Sequence, residues 1–146
     1  MSDDEDSIMI AILPAHGDWG DVEFPHLTLV YAGLVADAEP DLFNKMLADT
    51  IMLAVLMPPP RLMSFGFSKF GTALESVEVL QFLASPALTA ARRMVEKYSK
   101  SEYKTFRPHV TVGSGINRIE RDPVVSFNQI VLAWGSDRHS FPFNGF

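Results

Sequence analysis

Cysteine is absent from the 146 residues, which excludes disulfide stapling, thiolate zinc sites and cysteine nucleophiles. Long apolar runs are missing as well. The longest, Ile51 to Pro60, contains three prolines and is too short to cross a bilayer. No run of Lys and Arg occurs, so the basic stripe of a protein that grips long duplex nucleic acid is not visible along the chain. Charged residues amount to 21% against 47% hydrophobic, a balance that excludes disorder and fits one globular core. The amino terminus, Met1-Ser2-Asp3-Asp4-Glu5-Asp6, lacks the basic start and apolar run of a secretory signal. The expectation is a cytoplasmic protein with no membrane partner.

The net charge is −6, and four of the acids sit in that terminal stretch, leaving about −2 for the rest. Residues 1–7 read as an acidic flexible tail, and residues 8–146 as a single domain of two lobes. A small ligand or a chain end suits such a body better than a duplex.

Periodicity supplies the elements. Ser7 to Pro14 reads as a buried strand through Ile8, Met9, Ile10, Ala11, Ile12 and Leu13. A loop from Ala15 to Glu23 leads to a second strand over about Pro25 to Ala32. Glu39-Pro40-Asp41 opens a helix whose apolar face is Leu42, Phe43, Met46, Leu47, Ile51 and Ala54, ended by Pro58-Pro59-Pro60. Strands over about Arg61 to Phe70 and Val77 to Ala84 flank Gly71-Thr72. Ser85-Pro86 opens a second helix with Leu88, Ala91, Val95 and Tyr98 as its stripe. Strands at His109 to Gly113 and about Val124 to Trp134 complete the order β-β-α-β-β-α-β-β. This predicts an α+β protein with largely antiparallel sheet.

One pattern repeats. Phe24-Pro25-His26-Leu27-Thr28-Leu29-Val30 matches Arg107-Pro108-His109-Val110-Thr111-Val112-Gly113, 83 residues apart, with Pro-His, an aliphatic residue and Thr in one register. Thr makes up 6 of 146 residues, so it falls two places after a given His about 4% of the time by chance. Two matched copies are therefore a strong signal. Strand side chains alternate between faces, so His26 and Thr28 share one face and His109 and Thr111 share another. Leu27, Leu29, Val110 and Val112 turn inward.

Two imidazoles and two hydroxyls suit phosphoryl chemistry without a metal or other cofactor. An imidazole with an unperturbed pKa of about 6.5 both takes and gives protons near neutrality. One histidine withdraws a proton from water or a ribose hydroxyl, and the other protonates the departing oxygen. Thr28 and Thr111 donate hydrogen bonds to the non-bridging phosphate oxygens. No His-Glu-x-x-His or comparable cluster points to a metal site.

The two motifs, His26-Leu27-Thr28-Leu29 and His109-Val110-Thr111-Val112, resemble those of the 2H phosphoesterase superfamily, whose LigT-like members carry two such His-x-Thr/Ser-x motifs. The resemblance covers nearly the whole chain from Ile8, including the Phe65-Gly66-Phe67 strand and the closing Phe127 to Leu132 strand. It implies a bilobal fold of two pseudo-symmetric antiparallel sheet lobes with flanking helices and a central cleft. The activities it implies are cyclic phosphodiesterase, RNA-end processing or, as in phage members, cleavage of cyclic oligonucleotide signals. Catalytic roles fall on His26 and His109 and phosphate binding on Thr28 and Thr111. The partners would be a small nucleotide, a cyclic oligonucleotide or an RNA terminus. Behind the second motif, where many LigT-like proteins carry a basic residue, this chain has Gly113-Ser114-Gly115. A non-catalytic nucleotide- or RNA-binding module is the competing reading; matched acid and base groups count against it.

Further substrate contacts are sought among aromatic and basic residues. Tyr31, Phe67, Phe106 and Trp134 are candidates for base stacking, and Lys69, Arg107 and Arg138 for phosphate clamps. On a regular strand, Tyr31 differs in parity from His26 and faces the core.

Overall fold

The structure, a computed structural model, describes residues 6–71, 77–101, 105–114 and 122–144. Along these run β1 (Ser7–Pro14), β2 (Leu27–Leu34), α1 (Leu42–Leu56), β3 (Arg61–Phe70), β4 (Val77–Phe82), α2 (Pro86–Val95), β5 (His109–Thr111), β6 (Val124–Trp134) and β7 (Asp137–Pro142). β1 takes in Ser7, the last residue of the stretch read as tail; residues 1–5 lie outside the described ones.

All the strand pairings are antiparallel. They form a four-stranded set, β2-β1-β6-β7, and a three-stranded set, β5-β4-β3. The sets join twice: Leu27 pairs with Val110, and Arg61–Met63 pairs with Val124–Ser126. The long strand β6 serves both, holding β3 through its first residues and β7 through Gln129–Trp134. The α+β architecture is as the element order predicts.

β7 is a strand beyond the predicted order, which ends at Trp134. Asp137-Arg138-His139-Ser140 is polar and carries no apolar alternation, yet it pairs residue for residue with β6 across a turn at Gly135. The edge position makes this possible, since only one side of β7 needs a partner. β5 is shorter than the predicted span to Gly113: the Val112 amide still donates to Glu78 O of β4, but the Gly113 amide donates to Trp19 O rather than to β2. Thr72 lies outside the described residues.

The core lies on one face of the sheets. Ile8, Ile10 and Ile12 of β1 alternate into it, joined by Leu27, Leu80, Val110, Phe127, Ile130 and Leu132, all at most 2% exposed. Both helices cover this face. α2 starts at Ser85, whose hydroxyl accepts from the Leu88 amide at 3.1 Å, with Pro86 in the first turn. Its predicted stripe, Leu88, Ala91, Val95 and Tyr98, is buried throughout. α1 is rotated from the expected stripe. Thr50 is wholly buried while Ile51 is 41% exposed. The buried hydroxyl is satisfied by donating to Met46 O at 2.7 Å, one turn back.

Phe82 and Phe127 pack edge to face at 5.6 Å where the two sheets meet, so this pair carries much of the union. Phe127→Ala is expected to cost about 3–5 kcal/mol, read as a lower midpoint in urea. The same change at exposed Phe65 should leave the midpoint within about 0.5 kcal/mol.

Candidate active site

The Leu27–Val110 pair fixes the relation between the two motifs. Continuing that antiparallel register one residue each way sets His26 beside Thr111 and Thr28 beside His109. The local two-fold axis of such a pair exchanges residues at equal offsets, so it carries His26 onto His109 and Thr28 onto Thr111. The separation of 83 residues between the motifs is the same as that between Leu27 and Val110. Leu27 and Val110 are fully buried, while the four polar residues are half-buried on the opposite face. Direct neighbours in this geometry stand about 4.5–5.5 Å apart, and the diagonal histidines about 7–8 Å. The two motifs therefore meet where the two sets of strands join.

Both histidines are oriented in the same way. His26 Nδ1 lies 2.7 Å from Phe24 O, and His109 Nδ1 lies 2.6 Å from Arg107 O. A carbonyl only accepts, so Nδ1 carries the proton of the neutral ring and Nε2 keeps its lone pair. The backbone two residues upstream thus selects the tautomer in each copy of the motif. Thr28 Oγ1 reaches Met9 Sδ at 3.7 Å, a weak acceptor that competes little with a stronger one.

The floor beneath these groups is small and apolar: Ala11, Val79, Val131 and Ala133 are buried on the same face. Gln81 stands beside His109 on that face, a polar neighbour the sequence reading missed. Its strand was legible, but its partner was not. A hollow of about 380 Å³ opens at Thr111, lined by Asp21, Glu78, Val112, Gly113 and Ser114. Asp21 Oδ1 accepts from the Ser114 amide at 2.9 Å, and a β-carbon on Gly113 would stand 1.9 Å from it. Glycine follows the second motif because the carboxylate occupies the space of a side chain.

Neither a protein-family model nor a curated protein matches the sequence. Solved structures do. TT0787 of Thermus thermophilus superposes with a TM-score of 0.60 at 21% identity, covering 95% of this chain and 98% of that one. LigT of E. coli complexed with 3′-AMP gives 0.54 at 17% identity, covering 94% of each chain. Usb1 of Kluyveromyces marxianus gives 0.60 at 11% identity, covering 95% and 98%. The chain has the LigT fold.

Within this LigT fold, Tyr31 departs from its expected place. Ala11 pairs with Thr28 but Ile10 pairs with Val30, so Leu29 is an extra residue in β2. The bulge reverses the strand's parity. Tyr31 pairs with Met9, on the face of Ala11 and Thr28, and is 37% exposed. The other aromatic candidates lie elsewhere. Phe67 pairs with Leu80 on the core side. Phe106 packs against the core, and Trp134 meets Phe43 of α1 at 5.2 Å. Lys69 stands opposite Glu78, one residue out of phase with the row of Ser68, Val79 and Thr111. Strand parity decides Phe67 and Lys69, and helix contacts decide Phe106 and Trp134. Arg107 is exposed beside the second motif.

A second hollow, about 630 Å³, lies beside α1 and is lined by Asp41, Lys45, Asp49, Lys97 and Tyr98 among others. Four of its five charged side chains are paired with one another. Asp41 pairs with Lys45 at 2.9 Å, and Asp49 pairs with Lys97 at 3.1 Å. Tyr98 donates to Asp49 at 2.6 Å, and burial, then that carboxylate, push its phenol well above the usual range. The histidine face is chemically the more open of the two. Among the described residues no group of three or more His, Asp or Glu gathers to hold a metal.

Arg92 of α2 holds the bulge. Its Nη1 donates to Leu29 O, the carbonyl of the extra residue, and its guanidinium lies 5.3 Å from the Phe106 ring, just before the second motif. One side chain thereby links the first motif segment to the residue that precedes the second. Arg92→Met is expected to cost about 1–3 kcal/mol by leaving a buried carbonyl unanswered and to speed amide exchange across Leu29 to Tyr31. Arg93→Met, on the exposed side, should do neither. Unchanged exchange in Arg92→Met would show that the bulge needs no such anchor.

Proposed function

We propose that this chain is a 2H-type phosphodiesterase that opens or hydrolyses phosphodiesters of nucleotides without a metal ion. The observation that supports the reading is the dyad-related pair of His-x-Thr segments, each imidazole oriented through Nδ1 by its own backbone carbonyl. A phosphate over this quartet meets a proton-exchanging Nε2 on either side. The neutral imidazole takes a proton from the attacking water or ribose hydroxyl as that oxygen bonds to phosphorus. The bond from phosphorus to the leaving oxygen breaks, and the protonated imidazole supplies its proton. One proton is taken and one given, so the two histidines exchange protonation states. Thr28 and Thr111 donate to the non-bridging oxygens, where transition-state charge collects.

The reading extends to substrates: RNA ends bearing a 2′,3′-cyclic phosphate, or cyclic oligonucleotide signals. LigT has been solved with 3′-AMP, NADP+ and ATP, which favours a nucleotide as the ligand class. Residues of the site are His26 and His109 as acid and base, with Thr28 and Thr111 on the phosphate and Tyr31 positioned to stack on a base. The body is read as cytoplasmic.

A panel of 2′,3′-cyclic mononucleotides and cyclic di- and trinucleotides, with and without EDTA, tests this. Turnover should survive chelation, follow a bell-shaped pH profile, and fall about 10²–10⁴-fold in His26→Ala and in His109→Ala. Activity that requires added divalent ion, or that persists in the double variant, would contradict the mechanism. Binding without turnover anywhere on the panel would favour a non-catalytic module.

A further inference from the structure

Each histidine meets a phenylalanine ring that in turn has an arginine guanidinium near its face, closely at His26 and more loosely at His109. Phe24 lies against His26 with centroids 5.0 Å apart and planes at 30°, and the Arg138 guanidinium sits 3.6 Å from the Phe24 ring centre. Phe70 meets His109 edge-on at 4.7 Å, and the Arg107 guanidinium lies 5.9 Å from the Phe70 ring. The parts come from unrelated places. Arg138 is on β7 and Phe70 on β3, so no sequence repeat carries this second symmetry. Arg138 stands opposite Ala133, and Ala133 opposite Met9, which places it on the face of Thr28 and Tyr31. Both arginines are exposed, and among the described residues neither is ion-paired.

A guanidinium stacked on a ring uses its face and keeps its N–H edge for an anion. The stack also holds a long side chain in place before any ligand arrives. We infer that Arg107 and Arg138 are paired anion clamps, one beyond each histidine, that select a short oligonucleotide, linear or cyclic, with phosphodiesters on both sides of the reacting one. The inference rests on the phosphodiesterase reading of the quartet between them. A ligand with one phosphate would occupy the histidines and threonines and leave both guanidiniums unused. A further phosphate is not drawn into the hollow at Thr111, which is walled by Asp21 and Glu78. Two contacts are also too few for a long duplex. They predict a slope of log affinity against log salt of about −1.4 for a single strand. That is about a sevenfold loss between 50 and 200 mM salt.

Binding of a thymidine tetradeoxynucleotide and of thymidine 3′-monophosphate, titrated across that salt range, tests the clamps. The tetramer's slope should fall by about 0.7 in Arg107→Gln and again in Arg138→Gln. In the double variant the tetramer should lose at least fivefold more affinity than the mononucleotide. Arg→Lys at either position keeps the charge and should keep the slope. Equal losses for both ligands, or a slope unmoved by the double variant, would overturn the clamps. Arginine-dependent tetramer binding with no phosphodiester turned over would uphold the clamps and reject the catalytic reading. Relative turnover of a linear tetraribonucleotide and a cyclic trinucleotide then identifies which topology the two clamps fit.

Discussion

The backbone contact between Leu27 and Val110 governs the histidine face. It joins the end of one sheet to the end of the other, and both side chains are fully buried. Strand geometry makes its consequences strict. With these two residues opposed and facing inward, the residues on either side must face outward, and the diagonal partners must be the two histidines. A slip of one residue would turn all four polar groups into the core. Burial of two aliphatic side chains thus sets the positions of the polar groups it excludes.

Orientation is added to position by the backbone itself. The same hydrogen bond, from Nδ1 to the carbonyl two residues earlier, recurs at Phe24 and Arg107. In both copies the carbonyl, which only accepts, sets the proton of the neutral ring on Nδ1. Around them the constraints become asymmetric. The Leu29 bulge, held by Arg92, brings Tyr31 to the face on one side. On the other, Asp21 fills the space above Gly113. The site combines a two-fold centre with two different rims.

Much of this was legible beforehand. Apolar runs bounded by breakers yielded β1 and β6, helical spacing yielded both helices, and Ser85-Pro86 marked the start of α2 because capping is a local matter. Recognition that His26 and His109 form a set came from repetition, not from any contact. Where the reading failed, a neighbour had overridden a local preference. β7 is a strand because β6 offers it an edge. Ile51 turns outward because Thr50 satisfies its own hydroxyl and packs in its place. Trp134 and Phe106 are covered by helix contacts that their own segments do not encode.

By itself the sequence determined which chemical groups exist and how they are spaced along each strand, because rises of about 3.3 Å and alternating faces belong to the chain locally. The two His-x-Thr segments, their inward aliphatics and the absence of thiols all follow at that level. Only the tertiary structure decided how the segments stand to one another: the register through Leu27 and Val110, the bulge that turns Tyr31, and the stacks that set Arg107 and Arg138 beyond the histidines. Relations between strands are fixed by the summed packing of residues far apart in the chain, and no local spacing contains that sum.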